Sequence, residues 1–123
     1  MENNVIHTKS LDFAVRIVRL GRHLQDECHE YIISKQIIRS GTSIGANVRE
    51  SHNAQSSADF ISKLTIALKE ADETQFWLEV LKRSDIIGNK MYESLNTDVN
   101  ELIAILTSII KTTKTKKNNR QDE

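Results

Sequence analysis

The stretch SGTSIGANVRESHNAQSSA, residues 40–58, decides the fold of this 123-residue chain. It holds five serines, two glycines and two asparagines. Serine and asparagine side chains compete with helix formation because they hydrogen-bond to the nearby backbone, so composition alone allows a polar linker. However, Gly41 and Gly45 lie four residues apart on the face that also carries Ile37, Ile44 and Val48, a spacing typical of a helix. We predict a helix here, and we expect its small residues to let a neighbouring backbone approach closely.

Apolar residues recur at helical spacing in the rest of the chain as well. The predicted helices run from a cap at Ser10 to about Asp26, from a cap near Ser34, from Ser56 or Ser57 to Ser84 or Asp85, and from about Asn89. The chain has no proline and only four glycines, which permits long uninterrupted helices. Short connections then predict an all-α fold, a single antiparallel up-down-up-down four-helix bundle over residues 1–115. Residues 116–123, basic and then acidic, lack apolar periodicity and are expected to form a disordered tail.

Composition restricts the function classes. Lys plus Arg and Asp plus Glu both total 17, so the formal charge is zero, which argues against a protein that coats nucleic acid with its whole surface. Cys28 is a single cysteine and cannot form an internal disulfide, which indicates a reducing, cytoplasmic location. The sequence begins without an apolar signal segment. It also has no run of about 18 apolar residues, so we expect no membrane span.

Three segments carry a family resemblance: LDFAVRIVRL (residues 11–20), ISKQIIRSGTSIGANVRES (33–51) and AQSSADFISKLTIALKEADETQFWLEVL (54–81). The most specific parts are RSGTSIGAN, and KEADET followed by an aromatic residue and WLE. The chain resembles the small proteins encoded by intervening sequences within bacterial 23S ribosomal RNA genes. The resemblance implies a four-helix bundle that assembles as a homopentamer. It also implies a fold similar to that of the accessory protein of diversity-generating retroelements, a basic pentamer that binds nucleic acid and its reverse transcriptase. The neutral charge of this chain departs from that basic relative.

Polar residues of the motif form the first candidate site. They lie mostly away from the apolar stripe of the second helix, or at three- and four-residue steps on the third helix. These residues are Arg39, Ser43, Asn47, Arg49, Glu50, Glu70, Glu73 and Trp77. They suit either a ligand or nucleic-acid site, or a polar seam between helices or subunits, and we favour the seam. Within it, Arg49 is expected to pair with Glu70 or Glu73, because a guanidinium fork matches a carboxylate.

Cations form the second candidate site, which would contact phosphate groups of RNA or DNA. They comprise Arg16, Arg19, Arg22, Lys111, Lys114, Lys116, Lys117 and Arg120. The alternative is a solvated tail and an ordinary exposed face, since no aromatic residue lies in the tail to stack on bases. Contacts from one chain would be weak, but five copies on one ring would act together through avidity.

Metal-binding and catalytic patterns are absent from the sequence. Di-iron bundles use Glu-x-x-His, and the nearest match is Asp26-x-x-His29. His7 and His52 have no partner at ligand spacing, and Cys28 beside His29 lacks the further ligands that zinc needs. The SGTSIG run lacks the Gly-Lys ending of a phosphate loop. We therefore expect no metal, no cofactor, no small-molecule substrate and no enzyme activity. The resemblance implies a self-assembling protein whose physiological role is unknown, with a nucleic-acid-binding accessory factor as the alternative.

Overall fold

The computed structural model describes residues 2–122, with side chains for residues 4–119. This part of the chain folds into four helices and no strand. They are α1 (Glu2–Asp26), α2 (Ile33–Ser51), α3 (Ser57–Arg83) and α4 (Asn89–Asp122). Each helix packs against its neighbours in sequence, and α4 also packs against α1. The predicted all-α four-helix bundle is confirmed.

Helices α1 and α2 are antiparallel, because the end of α1 contacts the start of α2 and the start of α1 contacts the end of α2. Near the α1–α2 loop, Gln25 donates a hydrogen bond to Ser34, whereas the ring of His7 near the start of α1 lies against that of His52 at the end of α2. One core fills the space between the helices, and its largest fully buried side chains include Phe13, Ile17 and Leu24.

The glycines of α1 and α2 allow these two helices to approach closely. A Cβ atom at Gly41 would lie 2.7 Å from Cγ2 of Ile17, and one at Gly45 would lie 3.3 Å from the Ser10 carbonyl oxygen. Conversely, the side chain of Ile38 occupies the space beside Gly21. The region that composition alone would allow to be a linker is therefore a packed helix as far as Ser51. Interlocking with α1 selects its small residues, which have poor helix propensity.

Two of the predicted helix caps are wrong. Ser10 lies buried inside α1, and its hydroxyl donates to the carbonyl of His7. Ser34 lies inside α2, which begins one residue earlier. The carboxylate of Glu30 accepts hydrogen bonds from the backbone N–H groups of Ile32, Ile33 and Ser34 at 3.2, 3.0 and 2.7 Å. A carboxylate can accept hydrogen bonds from several of the free N–H groups at a helix start. Its negative charge also interacts favourably with the positive N-terminal end of the helix dipole.

The other predicted helix limits agree with the structure. The side chain of Ser56 caps α3 by accepting from the N–H of Asp59 at 3.0 Å. Helix α3 ends at Arg83, followed by Ser84 at the C-cap, and α4 begins at Asn89.

Helix α4 continues to Asp122, whereas the sequence predicted a non-helical tail over residues 116–123. Thr113 and Thr115 direct their hydroxyls to the carbonyl oxygens of Ile109 and Lys111, one turn earlier. The segment contains no glycine or proline, and lysines near a helix C-terminus interact favourably with the helix dipole. Helical order here therefore does not require an apolar stripe. Residue 123 lies outside the described residues.

Replacing Gly41 with alanine tests the close approach of α1 and α2. We expect Gly41→Ala to lower the free energy of unfolding by about 1–2 kcal/mol. Overpacking costs about 1–3 kcal/mol, and alanine recovers up to about 1 kcal/mol of helix propensity. Urea unfolding measures the change. Gly88→Ala is the matched control, because a Cβ at Gly88 meets nothing within 4 Å. Equal stability of the two variants would contradict close packing at Gly41.

Candidate functional site

A polar layer joins α2 to α3 within one chain. Arg39 forms ion pairs with Glu73 and, at 3.6 Å, with Glu70. The indole Nε1 of Trp77 donates to Glu73 Oε2 at 3.3 Å. Four of the eight predicted seam residues therefore contact one another across a single helix pair.

Buried hydroxyl and amide groups continue this layer. Thr74 Oγ1 lies 2.7 Å from the Glu70 carbonyl oxygen and 2.9 Å from Ser40 Oγ, and both of these side chains are buried. Asn47 donates to the carbonyl oxygen and the hydroxyl of Ser43 at 2.9 and 3.1 Å. These groups are satisfied inside the subunit, so they are not available to a ligand.

The predicted pairing of Arg49 with Glu70 or Glu73 is wrong, because Arg39 occupies that position. In the antiparallel register, residues near the start of α2 face the second half of α3. Glu50, next to Arg49, lies instead beside Lys63, at 3.9 Å. The spacing on each helix was correct, but spacing within a helix does not give the register between two helices.

Arg49 lies on the opposite side of α2, in an open depression that we call the α1–α2 groove. The groove has a volume of about 340 Å³ and is lined by His7, Ser10, Leu11, Ala14, Thr42, Gly45, Ala46, Arg49 and Glu50. Its centre is apolar, and Leu11 remains 53% exposed although it borders an apolar surface. Val15 lies one turn further along α1 and is 44% exposed. The groove is therefore an apolar surface with one cation, Arg49, and one anion, Glu50, among its lining residues.

A stacked pair of histidines lies where α1 begins and α2 ends, and the sequence did not predict it. The ring centroids of His7 and His52 are 3.8 Å apart, and the ring planes differ by 8°. Nε2 of His7 is shielded from solvent and has no hydrogen-bond partner. Burial lowers the pKa of His7, and the nearby His52 and Arg49 lower it further. No sequence signal pairs the two histidines, because the register between α1 and α2, visible in the contact of Ile17 with Gly41, is a tertiary property.

The predicted cation cluster on α1 is divided. Arg16 forms an ion pair with Asp98 and donates to Ser94 Oγ at 3.0 Å. Arg19 and Arg22 are exposed, and neither forms an ion pair with a described side chain.

Four predicted cations lie near the end of α4: Lys111, Lys114, Lys116 and Lys117. All but Lys117 are exposed, and Lys117 is partly buried. Lys114 and Lys117 line a shallow hollow against the start of α3, beside Ala58 and Ile61. Among the described side chains, none of the four lysines forms an ion pair. The side chain of Arg120, the fifth predicted cation, lies outside the described residues.

The remaining chemically reactive side chains are scattered. Cys28 Sγ lies 3.8 Å from Nε2 of His23, and His29 Nδ1 lies 3.3 Å from the Tyr31 hydroxyl. Within the described residues, no three His, Cys, Asp or Glu side chains are grouped so that they could hold a metal ion. None of the described helices has an apolar segment long enough to cross a membrane.

Replacing the two arginines separately tests the assignment of the ion pair. We expect Arg39→Ala to lower the free energy of unfolding by about 1 kcal/mol, the upper end for a partly exposed pair. Glu70 Oε2 is buried and has no hydrogen-bond partner, so the mutation removes the cation that lies 3.6 Å from it. Arg49→Ala should change this free energy by less than about 0.5 kcal/mol. Urea unfolding at two protein concentrations separates subunit stability from assembly. A larger loss for Arg49→Ala would place the structural ion pair at Arg49.

Comparison with known proteins identifies the family. A family model described as "23S rRNA-intervening sequence protein" matches residues 2–108. A crystal structure from Bacteroides thetaiotaomicron VPI-5482, described as a protein with unknown function from the S23 ribosomal protein family, is 58% identical and has a TM-score of 0.90, covering 90% of this chain and 99% of that one. Among curated proteins, none matches the chain. The extent of the family match leads to the conclusion that the chain belongs to the 23S rRNA-intervening sequence protein family.

Proposed function

We propose that this chain is a non-enzymatic protein that assembles with itself into a closed ring. The number of subunits, five, rests on what the family resemblance implies. The observation that supports assembly is that one subunit leaves two unlike apolar surfaces exposed on different helices. Such surfaces on a monomer commonly mark protein interfaces.

The α1–α2 groove is the first of these surfaces, with Leu11 and Ala46 exposed and Arg49 at its edge. We call the second surface the α3 knob. It consists of Phe76, which is 57% exposed and packs edge-on against Trp77 with a centroid distance of 5.1 Å. Exposed carboxylates of Asp72 and Glu79 lie within one turn of Phe76 in α3. An aromatic knob flanked by anions complements the Arg49 side of the apolar groove, whose other charged residue, Glu50, lies beside Lys63.

This complementarity favours a ring over a symmetric dimer. When two different patches meet, the growing assembly keeps one free groove at one end and one free knob at the other. Addition therefore continues, and a rotation between subunits that closes gives a ring. A two-fold dimer would instead bury the same patch on both subunits. The proposed contact therefore places the groove of one subunit on the knob of the next.

Two variants test the contact. Leu11→Glu places a charge in the groove, and Phe76→Glu replaces the knob. We expect each variant to be a monomer by light scattering on a sizing column, whereas we expect the unaltered chain to have the mass of five subunits. Mixed in equal amounts, the two variants should form a dimer, because each retains the surface that the other lacks. Ser108→Glu, on an exposed part of α4, is the control and should leave the ring intact.

The mixing experiment distinguishes the possible outcomes. A monomeric unaltered chain would contradict assembly. If a ring forms but the mixture of Leu11→Glu and Phe76→Glu stays monomeric, the ring exists but the groove and the knob do not meet in it.

A second candidate function, binding of structured RNA or DNA, is supported by the lysines of α4. No acidic residue occurs between Ile105 and Asn119, although the whole chain is neutral. Elsewhere, cations such as Lys9, Arg16 and Arg39 form ion pairs with carboxylates of neighbouring helices. A local excess of unpaired positive charge is the feature that attracts a phosphate backbone.

Charge reversal tests this second function. In a mobility-shift titration against a structured RNA, we expect Lys114→Glu/Lys117→Glu to weaken binding by at least about tenfold at low salt, because phosphate contacts dominate the affinity. The log–log salt dependence of binding should also become shallower. Lys69→Glu/Lys90→Glu, which changes the same charge at exposed positions elsewhere, is the control. The absence of binding to the unaltered chain at micromolar concentration and low salt would remove this function.

A further inference from the structure

We propose that the stacked pair His7–His52 is an acid-sensitive latch, which holds the first turns of α1 against the end of α2 while His7 is neutral and releases them when His7 takes up a proton. The inference concerns a conformational change within one subunit, and its test uses a variant designed to be monomeric because His7 also lines the α1–α2 groove.

The geometry of the pair requires at least one neutral ring. The two planes are nearly parallel, with 3.8 Å between their centroids, a spacing at which two imidazolium ions would repel each other strongly. Nε2 of His7 is closed to solvent and lacks an acceptor, so a proton on this atom would be neither hydrated nor hydrogen-bonded. Protonation of His7 is therefore disfavoured in the stacked position.

The charged groups around His7 also disfavour a proton there. From α2, it faces Arg49 and His52, which both contribute to lowering its pKa. The carboxylate of Glu50, which lines the same groove, lies beside Lys63.

On the α4 side of α1, the acidic groups line a separate hollow around Lys9. They are Asp12, Asp98 and Glu101, and Glu101 forms an ion pair with Lys9. This hollow does not include His7.

The direction of the pH effect follows from linkage. The pKa of His7 is lowered in the closed state from its ordinary value of about 6.5. The open state, where the ring is hydrated, therefore binds a proton more tightly than the closed state. Opening becomes more favourable as the pH falls below about 6.5, and the effect levels off below the pKa of the closed state.

The opening is limited to one end of the bundle. The next contacts along α1 and α2 are Ser10 with Gly45 and Ile17 with Gly41, which involve backbone and aliphatic atoms and do not titrate. Release of the latch would expose Ile6, now 2% exposed, and widen the end of the α1–α2 groove.

Amide hydrogen exchange of residues 4–9, corrected for the intrinsic effect of pH, tests the latch. Measurements use the full chain carrying Phe76→Glu, so that assembly does not contribute. Between pH 7.5 and 5.0 we expect opening at residues 4–9 to become several-fold more favourable, because the open state binds the proton more tightly than the closed state. Residues 14–20 should not change.

Three variants identify the groups responsible. In His7→Phe an aromatic ring can still stack against His52, but residue 7 cannot take up a proton. The change in opening at residues 4–9 between pH 7.5 and 5.0 should therefore fall below about twofold. His52→Gln removes the stack and should leave residues 4–9 open at both pH values. His29→Gln, at the opposite end of the bundle, is the control and should respond like the parent. An unchanged acid response in His7→Phe, or no response in the parent, would overturn the proposal.

Discussion

The contact between α1 and α2 is the constraint on which the rest of the structure depends. Gly41 and Gly45 let the backbone of α2 approach Ile17 and Ser10 of α1 to within the space of a single Cβ atom. Contacts this close do not tolerate a shift along the helix axis, because any side chain placed at these positions would collide. The register that follows places His7 against His52 and Gln25 against Ser34, at the two ends of the same helix pair.

The same stretch resolves the conflict between its composition and its structure. Thr42 and Ser51 direct their hydroxyls to the carbonyl oxygens of Ile38 and Val48, at 2.7 and 2.6 Å. Asn47 uses the carbonyl of Ser43 in the same way. These side chains can compete with a helix when they are exposed to water, but inside the bundle they find partners one turn earlier in the helix itself. Residues of low helix propensity therefore form a helix in the folded bundle, and their small side chains let this helix pack closely on α1.

Assigning Arg39 to the α2–α3 layer leaves Arg49 on the other side of α2, beside the apolar groove. This division separates two roles that the sequence combined in one seam. The inward polar groups fix α3 against α2, while the groove and the α3 knob remain available to other molecules. The end of the bundle that carries the histidine pair also carries the start of α3 and the lysines of α4. His7 lines the α1–α2 groove too, so the proposed assembly and acid response share this residue, whereas the proposed nucleic-acid contacts use α4.

Sequence periodicity predicted the number of helices and their ends at Asp26, Ser56 and Asn89, because apolar spacing and Ser capping are local properties. It did not predict the cap by Glu30, since a carboxylate placed before the helix reaches its N–H groups only after the loop has folded. Sequence periodicity also assigned the ion pair with Glu70 or Glu73 to Arg49 and missed the His7–His52 stack. Both errors have one cause, because the register between helices is a tertiary property. The helical end of α4 was missed because its order does not depend on an apolar face.

Native-state amide exchange at Gly41, Ile44 and Val48 tests the central claim most directly. If α2 is locked against α1, these amides should exchange only through global unfolding, with an opening free energy equal to that measured by denaturant titration. Exchange through local openings of much lower free energy would show that this stretch is a loosely held segment, and the register on which the groove, the polar layer and the histidine pair depend would not be fixed.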